Sequence, residues 1–344
     1  MKQTPEERLR LVTRNTAEII TREELNQLLK TKERPVIYLG VSITGRPHVG
    51  YFVWATKVAD FLKAGFKVKI LLADVHGAMD NCPWEVLEKR FEYYNIVIKG
   101  MLKSAGADLT QLEIIKGSSF QLEKNYVLDL LKFSTQTTVH DALKAASEVV
   151  KMGDNPKVSG LIYPMLQALD EQYLDVDIQF GGTDQRKIMV FARENLPILG
   201  YRPRIELMLP LIPGLTQTGK MSSSEPNSKI DLLETTTDIK TKLNKAYCPE
   251  KQIEGNGVMA LCQFVIMPKK EDEKKTLIIK RPEKFGGDAS YSTYAELEKA
   301  FVSGALHPMD LKTAVASEID QLVAPIRKDF EGKEKLIQQA YPTK

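Results

Sequence analysis

A strand, turn, helix and strand over residues 36–73, a later strand running into Gly181 and Gly182, and a helical texture after Asp231 predict the fold class. They point to an α/β chain on a doubly wound parallel sheet, with a helical domain behind it. At the start, Leu11, Ile19, Ile20, Leu25, Leu28 and Leu29 recur at helical spacing, so residues 1–34 read as an arm of two short helices. Residues 36–40 are a short buried-strand run. Gly45, Pro47 and Gly50 then mark a turn into a helix that carries Val49, Phe52, Val53, Ala59 and Leu62 as far as Gly65. Residues 67–73 form the second strand, and two strands joined by one helix imply parallel pairing. Further on, residues 84–105 predict a long helix, 112–116 a strand and 122–150 mostly helix. The stretch 84–150 reads as a helical insertion packed on the sheet, its apolar surface a candidate homodimer face or equally simple core packing. Strands at 176–180 and 207–211, with a helix over 186–195, complete a nucleotide-fold domain spanning 35–230. A helical domain occupies 231–344.

Composition removes several classes of function. The chain has 344 residues, 43% apolar and 27% charged, close to soluble globular proteins and long enough for two domains. Lys and Arg number 48 against 45 Asp and Glu, a net +3 that is too mild to hold nucleic acid by bulk charge. Any RNA contact must come from local patches. Cys82, Cys248 and Cys262 form no CxxC pair and have no histidine cluster beside them, which argues against a disulfide framework or a structural zinc site. Residues 2–14 are charged, and no stretch reaches the ~18 apolar residues of a membrane span. A cytoplasmic protein without a membrane anchor is expected.

Two loops are candidates for phosphate chemistry. His48 and Gly50 sit between the first strand and first helix, where ligands of doubly wound folds bind. Gly50 would let a nucleotide approach the backbone, and His48 would hydrogen-bond to phosphate; the plain alternative is a capping histidine. Lys220, Met221, Ser222 and Ser223 follow the last strand on a loop with Pro213 and Gly214, and offer a point charge with short hydroxyl donors to a polyphosphate. Its plain alternative is a solvated loop.

In this order, after the first and last strands, the two loops resemble the paired signatures of class I aminoacyl-tRNA synthetases. Between them, Tyr163, Gln167 and Asp170, then Gly182, Asp184, Gln185 and Arg186, resemble segments of tyrosyl-tRNA synthetases of the archaeal and eukaryotic type. The likeness covers about residues 8–330 and implies a Rossmann-like catalytic domain with a helical dimer insertion, then an α-helical anticodon-binding domain. It assigns Tyr38 and Asp170 to the phenolic hydroxyl of tyrosine, and Tyr163, Gln167 and Gln185 to its amino group. The physics agrees, since phenylalanine would leave a buried carboxylate and hydroxyl unpaired. For ATP it implies His48 and Gly50 at the phosphates and adenosine, Gly182 and Asp184 at the ribose, and Lys220, Met221, Ser222 and Ser223 on the loop. Mg²⁺ would accompany ATP. Two positions depart from the general pattern: Tyr51 stands where many members carry a second histidine, and Ser223 where many carry a second lysine. The missing charge leaves a role for a monovalent cation such as K⁺.

The same resemblance places Phe285, His307 and Asp310 at the anticodon of tRNA(Tyr), with Phe285 stacking on the wobble base and Asp310 accepting from it. Arg186 falls near the acceptor end. On residue chemistry alone, His307 and Asp310 equally suit the start of a helix. Residues 269–284 add seven basic and four acidic side chains, a modest phosphate patch. Three rivals stay open: a tryptophanyl enzyme, a silent RNA-binding scaffold, and a small-molecule adenylyltransferase. Tyr38 with Asp170 argues against the first, because an indole offers no oxygen to a hydroxyl donor.

Overall fold

The computed structural model describes residues 3–150, 153–217, 219–223 and 225–342, and the side chain of Phe285 lies outside what is described. In chain order the elements are α1 (Pro5–Thr13), β1 (Glu18–Ile20), α2 (Arg22–Thr31), β2 (Val36–Ser42), α3 (Phe52–Lys63), β3 (Lys67–Ala73), α4 (Asp74–Met79) and α5 (Leu87–Ser104). There follow β4 (Leu112–Lys116), α6 (Lys124–Ser134), α7 (Val139–Ala146), α8 (Val158–Tyr173), β5 (Ile178–Gly182), α9 (Arg186–Asn195) and β6 (Ile205–Leu209). The rest comprises α10 (Thr236–Lys245), α11 (Gly257–Leu261), α12 (Met267–Asp272), β7 (Leu277–Ile279), β8 (Ala289–Tyr291), α13 (Tyr294–Ser303), α14 (Pro308–Asp329) and α15 (Glu334–Ala340).

Among the described residues the main sheet has the order β1-β6-β5-β2-β3-β4. All its pairs are parallel except β1 with β6. The chain winds outward from β2 through β3 to β4, then returns to the other side of β2 with β5. That reversal opens a crevice at the carboxyl ends of β2 and β5, where doubly wound folds bind ligands. Two differences from the sequence expectation stand out. Residues 18–20, read as helical, form edge strand β1, with Ile19 paired to Leu207. Three residues are too short to show a period, and the strand exists through its distant partner. The C-terminal part also holds the small antiparallel pair β7 and β8.

Strand alternation decides what faces where. On β2, Ile37, Leu39 and Val41 join Val68, Ile70 and Leu72 of β3 in one large core with α3 and α5. Each such side chain, fully buried, is worth about 1.5–3 kcal/mol of apolar transfer. Tyr38 alternates to the opposite face, in a separate cluster with Leu71, Ala73, Leu174 and Val176. There α8 and α9 pack with α6 and α7 in a second core. The large core runs on without a break into Leu311, Val315, Ile319 and Ile326 of α14, so α5 is sandwiched between the sheet and the C-terminal helices.

Candidate active site

The crevice is a cavity of about 440 Å³. Its lining includes Tyr38, His48, Gly50, Tyr163, Gln167, Asp170, Gly182, Asp184, Gln185, Lys220, Met221, Ser222 and Ser223. The adenylate and amino-acid residues expected from the sequence thus converge on one space. Helix geometry explains one wall: Tyr163, Gln167 and Asp170 stand at spacings of four and three on α8, and so share a face. Gln167 Nε2 donates to Gln185 Oε1 at 3.2 Å, tying α8 to the turn after β5.

At the closed end, Asp170 is 1% exposed. Its Oδ1 accepts from Gln121 Nε2 at 2.8 Å and from the Tyr126 hydroxyl at 2.9 Å. Oδ2 lies 3.8 Å from His76 Nε2. Burial pushes the Asp170 carboxyl up to about 8, against the pull of the Gln121 and Tyr126 hydrogen bonds. Burial also pushes His76 down to about 4, so its imidazole is neutral at pH 7. Tyr38 is fully buried and donates to the carbonyl of Gln167 at 3.2 Å. The end of the cleft therefore holds a carboxyl that becomes a pure acceptor once ionised, ringed by Gln121, Tyr126 and His76, and a buried hydroxyl packed against Leu71 and Ala73.

The mouth is built from the two loops. Gly50 N–H donates to His48 Nδ1 at 3.2 Å, so Nδ1 is the acceptor and the ring proton sits on Nε2. Burial, helped by the charge of Lys229, pushes His48 down to about 3 and keeps the ring neutral. A Cβ at position 50 would meet the His48 ring at 2.9 Å, which is why glycine is required there. Lys220 Nζ bridges to Asp184 Oδ2 at 2.7 Å across the mouth. The turn carrying His48 is braced from behind. Arg46 pairs with Asp231 at 2.9 Å, and the hydroxyl of Tyr341 donates to the Gly45 carbonyl at 2.9 Å. Arg90 donates to the carbonyls of Ile43 and Ala340, and its guanidinium lies 4.7 Å from the Tyr341 ring centroid.

Other expected residues lie elsewhere. Arg186 opens α9 outside the cavity lining and forms a two-point contact with Glu18 at 2.7 and 2.9 Å. His307 caps α14, its Nδ1 accepting from Met309 N–H at 3.2 Å, and Asp310 sits in that helix's first turn. Phe285 ends a short 3₁₀ turn, and its side chain falls outside the described residues. In the basic stretch 269–284, Lys269, Lys270, Lys275 and Lys280 are all engaged in ion pairs, which cancels much of the patch. Sequence reasoning missed Gln121, Tyr126 and His76 around Asp170, and Arg46 and Lys229 behind the mouth. Only His76, just past the carboxyl end of β3, carried a positional signal.

The family model for tRNA synthetases class I (W and Y) matches residues 30–324. A cytoplasmic tyrosine–tRNA ligase of Danio rerio is 50% identical over 98% of this chain, and the chain spans 64% of that relative's length. The tyrosine–tRNA ligase of Haloarcula marismortui is 42% identical over 98% of both chains. Among solved structures, tyrosyl-tRNA synthetase from Archaeoglobus fulgidus, complexed with L-tyrosine, superposes with a TM-score of 0.89 at 38% identity, covering 95% of this chain and 99% of that one. A mixed sheet with this cleft, matched over nearly the whole chain by such relatives, places the protein in the class I tRNA synthetase family, in its tyrosyl group.

Proposed function

We propose that the chain is a tyrosine–tRNA ligase that activates L-tyrosine with ATP and transfers it to the terminal adenosine of tRNA(Tyr). The observation that carries this reading is Asp170 with Tyr38 at the buried end of the cleft. With the Asp170 carboxyl ionised, a phenolic hydroxyl donates to its Oδ2 and meets the Tyr38 hydroxyl. Tyr163, Gln167 and Gln185 then surround the α-amino group, with the tyrosine carboxylate turned toward the mouth. There the carboxylate oxygen attacks the α-phosphorus of ATP; the bond from that phosphorus to the bridging oxygen breaks, and pyrophosphate leaves with the electron pair. No side chain acts as nucleophile. The protein's part is positioning, with donors aimed at the charge that develops on phosphate oxygens. His48 Nε2–H and the Lys220 ammonium supply them, and Asp184 holds the ribose once its lysine partner turns to phosphate. Mg²⁺, when bound, would come with ATP, held mainly by its phosphates and water, and would offset phosphate charge.

Three further assignments belong to the same reading. The helices after Asp231 read the anticodon through Phe285, His307 and Asp310, while Arg186 serves the acceptor end. Two copies associate through α6, where Leu128 and Leu131 are 46% and 59% exposed beside Leu122 at 61%. A monovalent cation such as K⁺ would supply beside Ser223 the charge that a second lysine brings in the general pattern. The decisive test is amino-acid-dependent ATP–pyrophosphate exchange with tyrosine, tryptophan and phenylalanine in parallel. Exchange with tyrosine alone is expected; exchange with tryptophan, or with none in folded protein, sinks the assignment.

A further inference from the structure

Residues 228–232 lie between the two loops of the mouth and hydrogen-bond to both. On one side Val49 N–H donates to the Ile230 carbonyl at 2.9 Å, and Leu232 N–H to that of Pro47 at 3.3 Å. On the other, Leu215 N–H donates to the Ser228 carbonyl at 3.0 Å and Ser222 N–H to Ser228 Oγ at 3.3 Å. Lys229 puts its ammonium into the seam. Nζ donates to the Ser223 carbonyl at 2.8 Å and to the Arg46 carbonyl at 3.4 Å. The Ser223 hydroxyl donates to the same Arg46 carbonyl at 3.2 Å. One carbonyl of the His48 turn thus gathers a cation and a hydroxyl from the opposite side.

Lys229 is 7% exposed, and keeping an ammonium there costs desolvation that a solvated lysine would avoid. Asp231 and Glu234 attract its charge, while Arg46 and Lys242 oppose it. Lys242 also donates to the Lys229 carbonyl at 2.9 Å, which fixes the segment from its outer side. The cavity lining reaches Ser222, Ser223 and His48 but not Lys229, so the lysine acts through its neighbours.

We propose that Lys229 is a positioning residue that clamps the Lys220–Ser223 segment to the turn carrying His48. It holds a fixed positive charge beside the place where Ser223 replaces the second lysine of the general pattern. This rests on reading the cleft as an adenylate-forming site. Both loops must hold one geometry for His48 and Lys220 to address the same phosphates, and a small displacement of either separates the two donors.

The test uses the full chain with Lys229→Met, which keeps length but loses the ammonium, and Lys229→Arg, whose fork can serve both carbonyls. For the methionine variant, tyrosine-dependent pyrophosphate exchange is expected to lose about 10-fold or more in kcat, with the KM for tyrosine within about two-fold. The arginine variant is expected to recover to within about three-fold of the parent. A second readout is independent of activity. Trypsin nicking after Lys220 should quicken about five-fold or more in the methionine variant, as a loosened segment opens more often. Methionine-variant exchange and nicking both within about two-fold of the parent overturn the proposal, as does a fall in exchange with unchanged nicking. An arginine variant as poor as the methionine one overturns it too. If Lys229→Met does not fold, Lys229→Gln is read in the same assays against the same limits. Parent protein that exchanges nothing with tyrosine refutes the reading of the cleft, while the nicking rates still decide whether the clamp exists.

Discussion

Above about pH 8, Asp170→Asn removes one charge at nearly constant volume, from a side chain that is 1% exposed. In the parent, Gln121 and Tyr126 both donate to Oδ1, which leaves Oδ2 for the phenol in the proposed complex. Asparagine must keep its oxygen toward those two donors, so its NH₂ group faces the phenol and can no longer accept from it. The loss is one charge-assisted hydrogen bond, about 1.5–3 kcal/mol, or roughly 10- to 150-fold in kcat/KM for tyrosine. Phenylalanine makes no such bond and should lose almost nothing, so the tyrosine-to-phenylalanine ratio falls by a similar factor. The assay is pyrophosphate exchange with both amino acids at a pH near 9, where the parent carboxyl is ionised. A ratio that changes by less than about two-fold would refute the assignment of Oδ2 to the phenol. The pH dependence supplies a second check. Burial raises Asp170 to about 8, so the folded chain keeps a proton that the unfolded chain releases near the ordinary aspartate value of about 4. Its contribution to stability is complete below about 4 and drains away as pH rises toward 8, while tyrosine affinity climbs over the upper part of that window. In Asp170→Asn both trends should be flatter.

Three more outcomes follow from the geometry. Because His48 is pushed down to about 3, exchange should show no limb near pH 6.5 from this residue; His48→Asn should lower the rate about 100-fold without changing the profile's shape, and a parent limb that vanishes in the variant would disprove the neutral ring. Asp310→Ala, at the far end of α14's first turn, should leave exchange within about two-fold and weaken tRNA charging about 10-fold or more, as measured by aminoacylation at limiting tRNA. Leu128→Asp combined with Leu131→Asp puts charge on the exposed face of α6 and should shift sedimentation from dimer toward monomer with little effect on melting. An unchanged sedimentation coefficient would refute the proposed association through α6.

Much of this was written in the sequence because the relevant signals were local. The bounds read for 67–73 and 112–116 match β3 and β4, since the apolar runs end at Ala73 and Ile115, just before Asp74 and the turn at Lys116 and Gly117. The strand expected at 176–180 runs over 178–182 instead, because Gly181 and Gly182 continue the ladder beside Met208 and Leu209 before the turn. The loop residues of the cleft drew notice through turn glycines and a lone lysine, but only their resemblance to the paired class I signatures joined them into one site, and they do line one cavity. Gln121, Tyr126 and Lys229 were not legible, because their roles depend on a partner brought in by the fold. Tyr126 lies on a helix whose apolar rhythm announces only a core, and its hydroxyl meets Asp170 from an element 44 residues away. Edge strand β1 was lost for the same reason: its register with β6 is a property of the assembled sheet.

Helix α5 has one further consequence. Its Tyr93 ring lies 4.8 Å from Phe330, Ser104 Oγ donates to the Leu322 carbonyl at 2.6 Å, and the space beside Gly100 is filled by Ile326. The nucleotide-fold half and the helical half therefore share one load of buried apolar surface. A chain cut near Asp231 would hand to water the face of α5 that packs on α14 and α15, and neither fragment would be a ready-made module for grafting onto another scaffold. Heating should melt both halves in a single calorimetric transition, so that a lesion far from the cleft, on the inner face of α14, lowers the folded population of the cleft as well.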